Sequence, residues 1–254
     1  MIESSYANLN SAHVSRRPAA EVFLLGQVDF DACLALQRRL VDEAASRAGG
    51  QISVLVCEHP PIITIGRDGS PSDVRIRGAL LAGQAIELVE VDRGGGTMLH
   101  LPGQLAIYPI VPLDWYGWTV GEYLYRFQAG LLRALGELGV QGQLRPARHG
   151  IWGQSGQLIA IGVAVTNWIT SFGAQFNVVP VLPIFDYIDT DPVEHSPAGS
   201  LCQEHRKPVH MTTVRTRVVR AVAEAFGCEQ FFVYTGHPLL THGGRLIHEA
   251  ANAS

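Results

Sequence analysis

Asp92-Arg93-Gly94-Gly95-Gly96-Thr97-Met98-Leu99-His100-Leu101-Pro102-Gly103-Gln104 is the stretch on which the reading of the fold turns. Upstream, Ile86–Val91 reads as a strand; downstream, Leu105–Val111 is a continuous apolar run of strand length. Contiguous glycines directly after a strand let the backbone approach a ligand closely, and their N–H groups can face an anion or a carbonyl oxygen. A plain tight turn is the simpler reading of the same residues. No Lys-Ser/Thr pair follows the glycines, so the segment is not a nucleotide-binding fingerprint.

Moving outward, Val22–Leu25 reads as a short strand, and a helix runs from about Asp31 to the Gly49-Gly50 stop with Cys33, Leu36, Leu40, Ala44 and Ala48 on one face. Ile52–Cys57 and Ile62–Ile65 are strands separated by Pro60-Pro61. Thr119-Val120-Gly121-Glu122 is a capping box, and the helix behind it presents Val120, Leu124, Phe127, Leu131, Leu135 and Leu138 before Gly139. Ile151-Trp152 and Leu158–Val165 flank Gly153–Gly156 as a hairpin, and Ile169–Phe176 is a further strand. Residues 178–208 have no sustained period and read as a long irregular loop. A last helix follows Thr212 or Thr213, and Phe231–Tyr234 returns as an edge strand. Helices that punctuate many strands without strict alternation give an α+β class, a mixed β-sheet packed with helices.

At 254 residues, 47% hydrophobic and 17% charged, the chain can bury one large core, and we expect a single domain over 21–254 behind a polar lead-in, 1–20. No apolar run approaches the roughly 20 residues of a membrane span, which excludes a membrane-spanning helix. A net charge of -4 without a basic stripe argues against nucleic acid. Cys33, Cys57, Cys202 and Cys228 show no paired spacing, so free thiols in a reducing cytoplasm are expected. Among 19 basic residues the only lysine is Lys207, and chemistry needing an active-site lysine must use it or be absent.

The glycine segment resembles the signature of the lipoyl(octanoyl) transferase family: Arg93-Gly94-Gly95, His100, Pro102-Gly103-Gln104 and the strand ending Tyr108-Pro109. Gln37, Glu58-His59-Pro60-Pro61, Thr64-Ile65-Gly66-Arg67, Gly150-Ile151-Trp152, Ala160-Ile161-Gly162 and Asn177-Val178 follow in that family's order. The resemblance implies the biotinyl/lipoyl protein ligase-like fold and transfer of octanoyl from acyl carrier protein to a lysine of a lipoyl-accepting domain, with no cofactor. It also implies an acyl pocket lined by Arg93, Gly94, Gly95, Gly96, Thr97 and His100, by Ala160, Ile161 and Gly162, and by Gly173, Ala174 and Gln175. Backbone N–H groups there would stabilise the developing oxyanion.

The family attacks its thioester with a cysteine thiolate favoured by a nearby lysine, and this chain departs at both positions. Gln157 stands at the lysine position. An ungapped reading puts Asp191 at the nucleophile, and a gapped reading through Pro197-Ala198-Gly199 puts Ala198 there. Leu101 replaces a glycine, and Phe172 replaces a histidine. An octanoyl/lipoyl transferase-like protein with a reshaped site, its catalysis open to loss, is the expectation; a noncatalytic binder of acyl chains or of carrier and lipoyl domains is the alternative. Cys202 beside His205 and Lys207 is a candidate relocated nucleophile, and Cys202, His205, His210 and His195 are a weaker zinc set. His59, His100 and His149 are candidate general bases. An ATP-dependent lipoate ligase is disfavoured because it resembles this chain only with a lysine that is missing.

Overall fold

The computed structural model describes residues 18–47, 49–75, 80–81, 84–146, 148, 150–189, 197–205 and 208–240. The strands are β1 (Ala19–Gln27), β2 (Gln51–Glu58), β3 (Ile62–Ile65), β4 (Leu80–Leu81), β5 (Gln84–Ala85), β6 (Glu87–Glu90), β7 (Thr97–His100), β8 (Gln104–Ile110), β9 (Gly150–Trp152), β10 (Gln157–Thr166), β11 (Ile169–Asn177) and β12 (Gln230–Thr235). The helices are α1 (Phe30–Ser46), α2 (Leu113–Tyr116), α3 (Val120–Glu137), α4 (Leu201–His205) and α5 (Met211–Ala225), with 3-10 turns at Pro71–Asp73 and Leu182–Tyr187.

Seven strands form one mixed sheet in the order β12-β1-β2-β8-β11-β10-β9, parallel on the β12-β1-β2 side and antiparallel beyond it. Successive strand residues point to opposite faces, and the two faces bury against different helices. Val54, Val56, Leu105 and Ile107 meet Phe127, Leu131 and Leu135 of α3 and Val214, Val218 and Val222 of α5. Leu55, Cys57, Ala106 and Tyr108 meet Cys33, Leu36, Leu40 and Val41 of α1. A second sheet, β6-β3-β7, stands apart from the first. Leu101 packs with Ile63, Leu99, Ile184 and Ile188 beside that sheet.

Several local expectations need correction. The N-cap of α1 is Asp29, whose side chain accepts the Ala32 N–H at 3.1 Å; Asp31 lies inside the first turn, where its charge suits the helix dipole. The segment from Thr97 to His100 is a strand paired with β3, not loop. The stretch after Val178 contains the 3-10 turn and α4 in addition to irregular chain. β1 begins at Ala19, inside the expected lead-in, and residues 1–17 lie outside the described residues. The Thr119–Glu122 capping box forms in both directions.

Gly130 explains why α3 and α5 pack so closely. A Cβ there would stand 3.0 Å from Ala221 O and Val222 Cα, so glycine is kept in mid-helix despite a propensity cost of about 1 kcal/mol. Gly136, in the same helix, faces open space. We therefore expect Gly130→Val to lower unfolding free energy by about 1–3 kcal/mol through overpacking. Gly136→Ala should raise it by about 0.5–1 kcal/mol. Urea unfolding of both variants checks the contrast.

Candidate functional site

Arg93 organises the glycine turn. The residue is 2% exposed. Nη1 donates to the carbonyls of Gly94 (3.2 Å) and Gly96 (2.9 Å), and Nη2 donates to Thr64 O (3.0 Å) and Thr64 Oγ1 (2.8 Å). Burial lowers its pKa to about 10, with the Tyr108 hydroxyl acting in the other direction, so the group stays charged at neutral pH. The glycines fit between two strands that also lack side chains at the contact. A Cβ on Gly66 would sit 2.3 Å from Gly95 O, and one on Gly162 would sit 2.7 Å from Gly94 O.

The turn's N–H groups are largely committed. Gly94 donates to Val163 O at 2.9 Å and Gly95 donates to Asp68 Oδ2 at 2.9 Å. Thr97 Oγ1 donates to Asp73 Oδ2 at 2.8 Å. Gly95, at φ +83, uses the backbone freedom of glycine for a structural turn.

Beside the turn is a cavity of about 10 Å³, room for roughly one water. Of the expected lining residues, Arg93, His100, Gly162, Gly173, Ala174 and Gln175 face it; Phe30, Met98, Tyr108 and Phe172 complete its wall. Gly94, Gly95, Gly96, Thr97, Ala160 and Ile161 do not line it. Ile161 belongs to the main core and Ala160 pairs with Gln175 across β10 and β11. Gly173 has a further role: a Cβ on it would meet Ile107 O at 2.1 Å, so it admits the close approach of β8.

Phe172 lines both this cavity and a groove of about 480 Å³, where Leu34, Val41, Val91 and Ala164 share the wall with the polar Gln37, Arg38, Asp42, Glu90, Asp92, Thr166 and Ser171. Its φ of 56° is a left-handed conformation uncommon for an aromatic residue. The buried Gln37 holds it there, its Oε1 accepting the Phe172 N–H at 2.8 Å. Neither the groove nor this pin was read from the sequence, although Gln37 was a landmark.

A buried polar chain runs behind the cavity. His59 Nδ1 donates to Val28 O at 2.8 Å, which leaves Nε2 as the acceptor for the Tyr108 hydroxyl at 3.0 Å. That hydroxyl accepts from Gln175 Nε2 at 2.7 Å. Burial lowers the His59 pKa to about 4. His100 Nε2 lies 2.9 Å from Thr64 Oγ1. Its Nδ1 has no partner at hydrogen-bond geometry, although Gln175 is close enough to favour the charged ring. Burial, then the charges of His59 and Arg93, push His100 well below the usual range, so both rings are neutral at neutral pH.

At the start of β10, Gln157 and Ala198 form a parallel bridge. Gln157 N donates to Pro197 O at 2.9 Å, and Gly199 N donates to Gln157 O at 3.0 Å. The Gln157 carbonyl also accepts from Asn177 Nδ2 at 3.2 Å, and Asn177 Oδ1 accepts from Gln104 Nε2 at 2.8 Å. Asp191, His149, His195 and Lys207 lie outside the described residues. Cys202 is in the first turn of α4, its N–H donating to Val178 O at 3.0 Å. Among the described residues, the potential metal ligands that gather are Cys33, Cys57 and His59, not Cys202 with His205 and His210. No helix among them is long and apolar enough to cross a membrane.

Residues 29–223 match the family described as the lipoyl protein ligase A/B catalytic domain. An octanoyltransferase of Chloroflexus aurantiacus is 34% identical over 213 residues, covering 82% of this chain and 94% of that protein. One from Geobacter metallireducens is 36% identical over 194 residues, covering 76% and 87%. A putative lipoate protein ligase of Thermoplasma acidophilum, solved with bound lipoic acid, superposes with a TM-score of 0.66 at 14% identity, covering 87% of this chain and 90% of its own. That likeness carries the ligase-like fold.

Because Arg93 satisfies three carbonyls at once, Arg93→Lys should destabilise the protein by about 1–3 kcal/mol, since an ammonium cannot span the same fork and leaves a buried acceptor unpaired. Thermal and urea unfolding measure the loss.

Proposed function

The chain belongs to the lipoyl protein ligase A/B catalytic family as an octanoyl/lipoyl transferase-like protein, and from that premise we propose that it handles the family's acyl group without forming the acyl-cysteine intermediate. The observation that carries this reading is the bridge between Gln157 and Ala198. The resemblance assigns a lysine to the first position and, on the gapped reading, the nucleophilic cysteine to the second. Two residues so assigned stand next to each other here, and that adjacency supports Ala198 over Asp191 as the altered nucleophile position. An amide cannot lower a thiol pKa by charge, and a methyl group cannot attack a thioester.

The acyl chain's place is the groove between α1 and the β10–β11 hairpin, whose size suits a medium-length chain. Phe172 is the residue shared by the walls of this groove and of the cavity beside Arg93 and His100. The partners are an acyl carrier protein and a lipoyl-accepting domain, met in the cytoplasm, and the role is that of a noncatalytic binder of acyl chains or of their carriers.

Incubated with octanoyl carrier protein, the native chain should show no acyl adduct by intact mass, whereas Q157K/A198C should gain an octanoyl adduct on the introduced thiol. Native transfer to a lipoyl domain, or an adduct on Cys202, would refute the reading. Phe172→Gly fits the left-handed backbone and removes the shared ring, so octanoate binding measured by calorimetry should strengthen at least about tenfold, or roughly 1.4 kcal/mol.

A further inference from the structure

We propose that Cys33, Cys57 and His59 form a buried zinc(II) site, with the Tyr108 hydroxyl as fourth donor. Cys57 and His59 stand two apart where β2 ends, and Cys33 reaches them from the second turn of α1. Their three donor atoms all lie within 4.8 Å of one another. Cys33 Sγ and Cys57 Sγ are 4.0 Å apart, and Cys57 Sγ is 3.5 Å from His59 Nε2. Tetrahedral zinc bonds to sulfur and nitrogen place such donors about 3.8 Å and about 3.5 Å apart, so these two pairs already match within a few tenths of an ångström, and Cys33, within 4.8 Å of the imidazole nitrogen, closes on the ion by a side-chain adjustment.

The imidazole is already set in the ligating tautomer. Its Nδ1–H is fixed on Val28 O at 2.8 Å, so the Nε2 lone pair is the one turned toward Cys57, the outer-shell arrangement that orients metal-bound histidines. Tyr108 O, 3.0 Å from that same nitrogen, is the neighbouring oxygen. All four side chains are buried among apolar residues of α1 and the sheet. Charge selects the metal: two thiolates and one divalent cation give a neutral centre, whereas a monovalent ion would leave a net charge in an apolar shell. Uptake breaks two S–H bonds and forms two Zn–S bonds, one Zn–N bond and one Zn–O bond to the neutral Tyr108 hydroxyl, while the ion's own waters leave to solvent. Two protons leave to solvent and no electron is transferred. The Tyr108 hydroxyl gives up its bond to Nε2, and because it also holds Gln175, metal uptake is felt at the cavity wall.

The test uses the full chain, freshly reduced and stripped with a chelator. After dialysis against zinc, elemental analysis should return one equivalent per chain. Cobalt(II) in its place should give thiolate charge-transfer absorption with the intense d–d bands of a tetrahedral site. Cys33→Ala, Cys57→Ala and His59→Gln should lose this signature while Cys228→Ala keeps it, with circular dichroism reporting whether each is folded. Less than a tenth of an equivalent in fully reduced native protein overturns the proposal whatever the variants do. So does a cobalt spectrum that survives in folded Cys33→Ala, or a Cys33–Cys57 disulfide recovered by peptide mapping in place of metal.

Discussion

A positive charge taken out of water must be surrounded by acceptors, and the Arg93 guanidinium is surrounded by the carbonyls of Gly94, Gly96 and Thr64 and the Thr64 hydroxyl. None of these is a carboxylate. The arrangement ties β3 to the turn before β7, and the turn in turn sits under Gly162 of β10. Two sheets are thereby held at one point by a side chain that neither owns. The glycines answer to this constraint first, because any Cβ at Gly66 or Gly162 would push the turn off the clamp. Their conformational freedom serves close backbone packing, and the Gly94 and Gly95 N–H groups are already bonded.

Much of the fold was legible because burial on two faces leaves an unmistakable record. Leu105–Val111 alternates its side chains between α1 and the α3–α5 layer, so every position is apolar. The capping box at Thr119 is a local chemical pattern and forms as read. Asp29 and Asp31 are equally good caps by residue type, and only the backbone distinguishes them. β7 was hidden because Thr97–His100 follows three glycines and its partner β3 is far away in sequence.

The candidate site was legible as landmarks but not as geometry. Gln37 and Phe172 meet across a separation of 135 residues, which no local pattern records. Cys33 and Cys57 lay on separately read elements, and nothing in their spacing said that α1 lies over the end of β2. The choice between Asp191 and Ala198 depends on strand register, and the Ala198 bridge to Gln157 is the register fact that bears on it. Pro197, Gly199 and Asn177 all bond to the main chain of Gln157, so these contacts do not depend on which side chain stands there.

The outermost strand has a consequence for folding. β1 lies between β2 and β12, and β12 is the last strand in chain order among the described residues. Until β12 docks, β1 presents a bare row of amides along one side of the sheet. Completion of the sheet therefore pairs strands from opposite ends of the described residues, a nonlocal closure of the kind that comes late in folding.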